Sequence, residues 1–361
     1  MANLDLNECF RVADQVAREA GTVIRDAFQE EKRIEIKESI ADLVTETDKK
    51  VEQMIISKFK SHFPDHSFIG EESTAAGVKV NLTDNPTWVI DPIDGTNNFV
   101  HRFPYVAVSI ALLVNKKTEI GVIYNPILDQ MYTARPGEGA YCNGKRLQCT
   151  KTSDISQAML CSEFGSSRVP EKLDSKFRSM RNVINKAHGM RCIGSAALHM
   201  CMVAEGTLDA HFTYGIHIWD MAAGYLVVEE AGGIVIDTGV FPDIFAAFWL
   251  WSLLAICMVW FSCIHGIHLT ICHQVWLRSL GSAAMSMAVV ASGNIDGYYE
   301  SGIHCWDIAA GLLIVVEAGG VVVDTSGGPL DLMSRRVLCA GTEQLVKQVA
   351  ANLEQLEFER D

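Results

Sequence analysis

The sequence predicts a layered α/β (α+β) fold, because helical and strand patterns alternate and several apolar strands end in acidic residues. Apolar side chains recur at helical spacing over residues 6–30, and Thr47 or Asp48 is expected to cap a second helix. The remaining elements follow in chain order. Strands are expected at 66–70, 87–90, 106–114, 119–125 and 130–134, a helix at 169–186, a strand at 337–340 and a closing helix at 342–353.

Composition narrows the class of partner. The 361 residues carry 30 basic and 44 acidic side chains, a formal net charge of -14. This charge argues against a nucleic-acid partner, whereas an acidic protein that binds a phosphate would need local cations such as metal ions. The eleven cysteines form no C-x-x-C pair, and the N-terminus has no apolar signal core, so a reduced, cytoplasmic protein is expected.

The chain contains an internal repeat. Residues 194–238 align without gaps to residues 281–325, at an offset of 87, and 26 of the 45 positions are identical. Two copies are too few for a solenoid. A compact domain would need this unit only once.

An apolar run separates the two copies. Ile244–Ile264 comprises 21 residues without a charge, long enough for a transmembrane span. The preferred interpretation is that the chain joins two alternative versions of one segment, with translated non-coding sequence between them. This divides the chain into a catalytic part with the first copy (1–237), an apolar insertion (238–277), and the second copy with the C-terminal part (278–361).

Four acidic clusters follow strands or begin helices. The first is Asp91-Pro92-Ile93-Asp94-Gly95-Thr96, in which two carboxylates and the carbonyl of Ile93 can converge around a turn. The others are Gly70-Glu71-Glu72-Ser73, Thr45-Glu46-Thr47-Asp48, and the Trp-Asp pair 219–220, repeated at 306–307. Each alone is explained by helix capping or a strand end. Together, carboxylates at one sheet edge predict a multi-metal hydrolytic site, since cations would offset their repulsion.

The chain resembles the inositol monophosphatase family of lithium-sensitive, metal-dependent phosphatases. The motifs that carry the resemblance are GEES at 70–73, WVIDPIDGTNNFVHRFP at 88–104, and WDxAAG at 219–224 and 306–311. The spacing D-P-I-D-G-T differs from the D-x-D-G-T of haloacid-dehalogenase phosphatases, so no phosphoenzyme is expected. The resemblance implies an αβαβα sandwich of the inositol monophosphatase and sugar phosphatase type, a homodimer, inhibition by lithium, and Mg²⁺-dependent hydrolysis of myo-inositol monophosphate by in-line attack of an activated water.

The resemblance also implies roles for individual residues. Glu71, Thr96 and Asp48 match the residues that activate and orient the attacking water. Two to three Mg²⁺ ions would be held by Glu71, Asp91, the carbonyl of Ile93, Asp94 and either Asp220 or Asp307. Substrate contacts would come from Asp94, Gly95, Thr96, Ser166, and either Gly281, Ser282, Ala283 and Glu300 or Gly194, Ser195 and Ala196. Lys37 aligns with a basic residue of the family.

The sequence favours the second copy for completing this site. Its Glu300 stands where the family's monophosphatases bind inositol hydroxyls, whereas the first copy has Thr213. The second copy, with Asp307, also leads directly into the C-terminal strand. Two other functions stay open: a related sugar-bisphosphate or nucleotide phosphatase, and an inactive, membrane-associated splice product anchored through 244–264.

Overall fold

The computed structural model describes residues 4–36, 43–78, 81–237, 256–260 and 278–360. The chain divides into two compact units. The first unit comprises Met1–Val100 and Pro104–Ser279, and the second comprises His101–Phe103 and Leu280–Asp361. The predicted three-part division stays a prediction, because most of 238–277 lies outside the described residues.

The first unit is built around a seven-stranded sheet. A short two-stranded ladder precedes it, β1 (Ile34–Ile36) with β2 (Leu43–Thr45). The large sheet has the order β3-β4-β5-β6-β7-β8-β9, antiparallel except for the parallel pair β3 and β4. Its strands are β3 (Ser67–Gly70), β4 (Thr87–Asp94), β5 (Ala107–Val114), β6 (Lys117–Asn125), β7 (Gln130–Arg135), β8 (Gly139–Cys142) and β9 (Lys145–Arg146).

Two long helices cover one face of this sheet. They are α1 (Leu6–Phe28) and α2 (Glu46–His62). The apolar stripe of α1, which the sequence predicts, packs with α2 against β4, β5 and β6 in one buried cluster that includes Ile24, Phe59 and Trp88. Phe59 stacks on Trp88 with ring centroids 4.0 Å apart. Short helices α3 (Glu71–Ala75) and α4 (Thr96–Val100) begin directly where β3 and β4 end.

The opposite face is covered by the helices of the first repeat copy, and a second sheet lies beyond them. The helices are α6 (Ala196–Glu205) and α7 (Ile218–Glu230), after α5 (Pro170–Ile184) in the chain. The second sheet has the order β11-β10-β12-β14-β13 and is entirely parallel. Its strands are β10 (Met159–Ser162), β11 (Gly189–Arg191), β12 (Ala210–Tyr214), β13 (Ile234–Asp237) and β14 (Ile256–Trp260). Met180 and Val183 of α5 pack on its outer face, which completes the expected αβαβα layers.

The second unit contains the second repeat copy. Its helices are α8 (Ala283–Ala291), α9 (Cys305–Glu317) and α10 (Glu343–Ala350). Its sheet has the order β15-β17-β16 and is antiparallel, with strands β15 (Gly297–Ser301), β16 (Val321–Val323) and β17 (Arg336–Ala340). Short 3₁₀ turns occur at Ile155–Gln157 in the first unit and Leu332–Ser334 in the second.

The two repeat copies fold alike but receive different third strands. In the second copy, the C-terminal strand β17 lies between β15 and β16 and is antiparallel to both. In the first copy, β14 lies between β12 and β13 and is parallel to both. A strand from the apolar insertion thus takes, in the first unit, the central position that the C-terminal strand takes in the second.

The apolar run Ile244–Ile264 is described only in part. Residues 256–260 form β14, and the rest of the run lies outside the described residues. No helix in the described part of the chain combines the length and apolarity needed to cross a bilayer.

The elements for which the sequence predicted bounds lie within a few residues of those bounds, with one correction at a helix start. The cap of α2 is Thr45, rather than Thr47 or Asp48. Asp48 instead occupies the third helical position and accepts a hydrogen bond from the Thr45 backbone N–H at 2.9 Å, which completes a capping box. This hydrogen bond holds the Asp48 carboxylate in a fixed, buried position.

Equivalent leucines of the two copies allow a matched test of packing. Leu226 on α7 is 4% exposed and Leu313 on α9 is 62% exposed. We expect Leu226→Ala to lower the free energy of unfolding by about 2–5 kcal/mol, because it leaves a core cavity. Leu313→Ala should change it by less than about 0.5 kcal/mol. Urea unfolding of both variants would measure this, and an equal cost at the two positions would contradict the burial described here.

Candidate metal and phosphate site

The site begins at an irregularity in β4. Residues 87–94 are all buried, and the register against β5 shifts between Asp91 and Asp94. Pro92 has no backbone N–H to donate to the ladder, so a bulge at this point is expected. The bulge allows the carboxylates of Asp91 and Asp94 and the carbonyl of Ile93 to lie on the same side of the sheet.

Three carboxylates meet beside this bulge. Asp91, Asp94 and Asp220 each offer an oxygen, and these oxygens lie within 4.8 Å of one another. Asp220 lies in the first turn of α7, where its carboxylate accepts a hydrogen bond from the His217 backbone N–H at 2.5 Å. The cluster predicted from distant sequence motifs is therefore assembled within the first unit.

Asp91 is the most constrained member of the group. It is 1% exposed, and its Oδ1 has no hydrogen-bond partner among the described residues. Burial raises its pKa well above the ordinary value, and the carboxylates of Glu71, Asp94, Asp220 and Asp48 raise it further. A buried acceptor among four other carboxylates suits a cation, because a cation satisfies the oxygen and offsets the repulsion.

Asp94 is tied to the first repeat copy. Its Oδ2 accepts hydrogen bonds from the Ser195 hydroxyl and, at 2.9 Å, from the Ala197 backbone N–H at the start of α6. Burial raises the pKa of Asp94 to about 6, although these hydrogen bonds act in the opposite direction. The predicted segment Gly194-Ser195-Ala196 therefore lies beside the acidic cluster.

Glu71 is positioned by Glu52, a residue that the sequence analysis missed. The buried Glu52 carboxylate accepts hydrogen bonds from the backbone N–H groups of Glu72 at 2.7 Å and Ser73 at 2.8 Å, and so caps α3. A Cβ atom at Gly70 would lie 2.4 Å from this carboxylate. The signal available in the sequence was Glu52 standing one helical turn after Asp48 on the otherwise apolar face of α2.

Asp48 and Thr96 form a second polar pair at the site. The Thr96 Oγ1 lies 3.2 Å from Asp48 Oδ1 and 3.1 Å from the carbonyl oxygen of Ile93. Asp48 Oδ2 accepts from the Thr45 N–H and, at 2.5 Å, from the Thr45 hydroxyl. The Thr96 hydroxyl can therefore donate to either neighbour while its lone pairs stay available to another donor.

Gly95 joins the bulge to α4 and has to be glycine. Its φ is +87°, and a Cβ atom there would lie 2.9 Å from the carbonyl oxygen of Tyr105 and 3.1 Å from that of Gly194.

Two other residues predicted for the site lie elsewhere in the chain. Ser166 lies in the exposed loop after β10. Lys37 lies outside the described residues.

The acidic cluster includes the Trp-Asp motif of the first repeat copy. Asp220 lies beside Asp91 and Asp94, and all three belong to the first unit. Asp307 belongs to the second unit, where its carboxylate accepts from the His304 N–H at 3.2 Å and caps its own helix. The other residues preferred in that copy, Gly281, Ser282, Ala283 and Glu300, also belong to the second unit.

Packing within the first unit explains the position of Asp220. The helices of the first copy bury their apolar faces against the seven-stranded sheet, and this contact brings the first turn of α7 to the bulge. The sequence-based choice of Glu300 over Thr213 concerned substrate contacts only. Glu300 is exposed, and its carboxylate accepts a hydrogen bond from the Tyr298 hydroxyl.

Comparison with known proteins agrees with this architecture. A family model described as "Inositol monophosphatase family" matches residues 5–244 and 262–357 of the chain. Inositol monophosphatase 1 of Homo sapiens is 41% identical over 354 residues, covering 98% of this chain and 97% of the relative. Inositol monophosphatase 2 of Mus musculus is 39% identical over 356 residues, covering 98% and 93%.

Solved structures give the same result. SuhB of Mycobacterium tuberculosis is 30% identical, with a TM-score of 0.56 and coverage of 68% of this chain and 98% of that one. Inositol monophosphatase II of Staphylococcus aureus is also 30% identical, with a TM-score of 0.54 and coverage of 63% and 83%. The chain belongs to the inositol monophosphatase family.

Proposed function

We propose that this chain hydrolyses myo-inositol monophosphate to myo-inositol and phosphate with the help of Mg²⁺. The observation that carries the proposal is the convergence of Asp91, Asp94 and Asp220 around a buried carboxylate oxygen of Asp91 that has no hydrogen-bond partner in the described part of the chain. Family membership and its inositol monophosphatase relatives support the same reaction.

The donor set fits a hard divalent cation. Glu71, Asp91, Asp94, Asp220 and the carbonyl of Ile93 offer only oxygen atoms, the ligands that Mg²⁺ prefers. Two to three ions bound there would supply the positive charge that activates a water molecule and stabilises the leaving oxygen. The positions of these carboxylates would determine where the ions, and therefore their positive charge, lie.

Asp48, Thr96 and Glu71 would direct the attacking water. With its Oδ2 engaged by Thr45, Asp48 presents Oδ1 to the Thr96 hydroxyl at 3.2 Å. A Thr96 hydroxyl that donates to Asp48 accepts a hydrogen bond from the water, and this orients the water toward phosphorus. Glu71, held at the start of α3 by Glu52, would accept the proton that the water loses.

The phosphate and alcohol parts of the substrate would contact different segments. The backbone N–H groups of Gly95 and Thr96 would contact phosphate oxygens, because Gly95 has no side chain in the way. Gly194, Ser195 and Ala196 of the first copy would face the alcohol, with Ser166 and Asp94. In this arrangement, Gly281, Ser282, Ala283, Glu300 and Asp307 take no part.

One observation favours a second candidate function. The first copy has Thr213 where the family's monophosphatases are expected to hold an inositol-binding Glu, and Thr213 is buried on β12. A weaker hold on inositol hydroxyls would favour another phosphate monoester, such as a sugar bisphosphate or a nucleotide phosphate. We further propose a homodimer, as the family resemblance implies, which sedimentation of the purified chain would test. We also propose a cytoplasmic location, as the scattered cysteines and the N-terminal sequence indicate.

The choice between the two aspartates can be tested without turnover. Mg²⁺ at about 100 times its dissociation constant should stabilise the native chain by about 2.7 kcal/mol. We expect Asp220→Asn to lose most of this gain and Asp307→Asn to keep it, because only Asp220 joins the acidic cluster. Thermal unfolding with and without Mg²⁺ measures the difference, and the opposite pattern would assign the site to the second copy.

Activity provides the direct test of the proposed reaction. Phosphate release from inositol 1-phosphate should require Mg²⁺, and Glu71→Gln should lower kcat by roughly 10²–10⁴-fold, because proton transfer is lost. Glu300→Gln is the matched control and should leave the rate unchanged.

The same assay distinguishes the alternatives. Faster turnover of a sugar bisphosphate or a nucleotide phosphate would support the second candidate function. A folded chain that releases no phosphate from any of these esters would support the inactive product.

A further inference from the structure

A second group of potential metal ligands lies in the first unit. Cys161 on β10, His199 on α6 and His211 on β12 are all completely buried. Cys161 and His211 are Cα partners in the parallel ladder of β10 and β12, so their side chains share one face of the sheet. His199 comes from the helix that packs on this face.

The three side chains are close enough to share one ion. One ligand atom from each lies within 4.8 Å of the others. Cys161 Sγ is 3.5 Å from His211 Nδ1, and the two imidazole centroids are 4.9 Å apart.

An independent observation points to a ligand here. His199 Nδ1 and His211 Nε2 are buried and have no hydrogen-bond partner among the described residues. Buried polar atoms usually have a partner, so two such nitrogens in one cluster call for an explanation. The second repeat copy carries Ser286 and Tyr298 at the equivalent positions, so the fold of the repeat does not itself require the histidines.

A carboxylate stands behind one of the histidines. Glu163 Oε1 lies 3.5 Å from His199 Nε2 and accepts a hydrogen bond from the Gly194 N–H at 2.5 Å. Nε2 itself accepts a hydrogen bond from the Ile193 N–H at 3.3 Å. An ion at Nδ1, which has no hydrogen-bond partner among the described residues, would move the ring proton to Nε2, beside the Glu163 carboxylate, an arrangement common for metal-binding histidines.

We propose that Cys161, His199 and His211 form a Zn²⁺ site distinct from the carboxylate site. Thiolate and imidazole ligands select Zn²⁺ over Mg²⁺, whereas the carboxylates around Asp91 suit Mg²⁺. Binding releases the thiol proton of Cys161 and changes no oxidation state. A tetrahedral ion would have one further position, for water. The ion would connect β10 and β12 to α6, whose N-cap residue is Ser195.

Cobalt substitution tests the proposal on the full chain. Because the three ligands are buried, Co²⁺ is supplied in the growth medium while the chain folds, and the reduced protein is purified without added metal. The expected result is a thiolate-to-cobalt charge-transfer absorption, with the ligand-field bands of a tetrahedral ion. Oxygen ligands cannot produce the charge-transfer band, so cobalt at the carboxylate site does not interfere, and the result is independent of phosphatase activity.

Two matched cysteine variants complete the design. Cys161→Ala should abolish the charge-transfer band, whereas Cys201→Ala, at another buried cysteine, should retain it. The double variant His199→Ser/His211→Tyr, which installs the residues of the second copy, should also lose it. Absence of the band in the native chain, or its persistence in Cys161→Ala, would overturn the proposal. The native spectrum decides the matter even if a variant fails to fold.

Discussion

Mutual repulsion among buried carboxylates is the constraint on which the catalytic half of this protein depends. Asp91 is buried, and Glu71, Asp94, Asp220 and Asp48 all act to raise its pKa. Such a group is unfavourable by itself, so it persists only where packing holds its members in place. The holding elements are a fully buried strand, a bulge set by Pro92, and helices α2, α3 and α7, whose first turns carry the other carboxylates. A cation bound among these carboxylates would offset the same unfavourable charge.

The repeat separates local structure from tertiary structure. Both copies form a helix, a strand, a helix and a strand at matching positions. Local propensity and capping are sufficient for that likeness, because the same residues begin and end the helices. Burial differs, since Leu226 packs in the core of the first unit and its counterpart Leu313 is exposed. Helices gain most of their stability from packing. Packing against the seven-stranded sheet, rather than the repeat sequence itself, therefore places the first copy beside the acidic cluster.

The sequence was informative wherever a pattern recurs with a fixed spacing. Helical periodicity located α1, and the apolar strands before Glu71 and Asp91 located the acidic residues at their ends. It favoured Asp307 over Asp220 on the substrate contacts of the two copies, because a sequence does not show which helix pair covers the seven-stranded sheet. Glu52 was missed because an acidic residue on an apolar helix face gives no sign of what it caps. His199 and His211 were missed because each is isolated in sequence and only the fold brings them together.

One helix of the first copy, α6, therefore contributes to both the carboxylate site and the proposed Zn²⁺ site. Ser195, at the start of α6, donates to Asp94 in the oxygen-lined pocket. His199 lies about one turn further along the same helix, in the cluster with Cys161 and His211. Hard oxygen ligands and softer sulfur and nitrogen ligands are thus kept apart by a few residues of rigid backbone. The second copy retains the serine as Ser282 but has Ser286 in place of His199. An exchange of the copies could preserve the capping serine of the phosphate pocket, yet it would remove the histidine cluster.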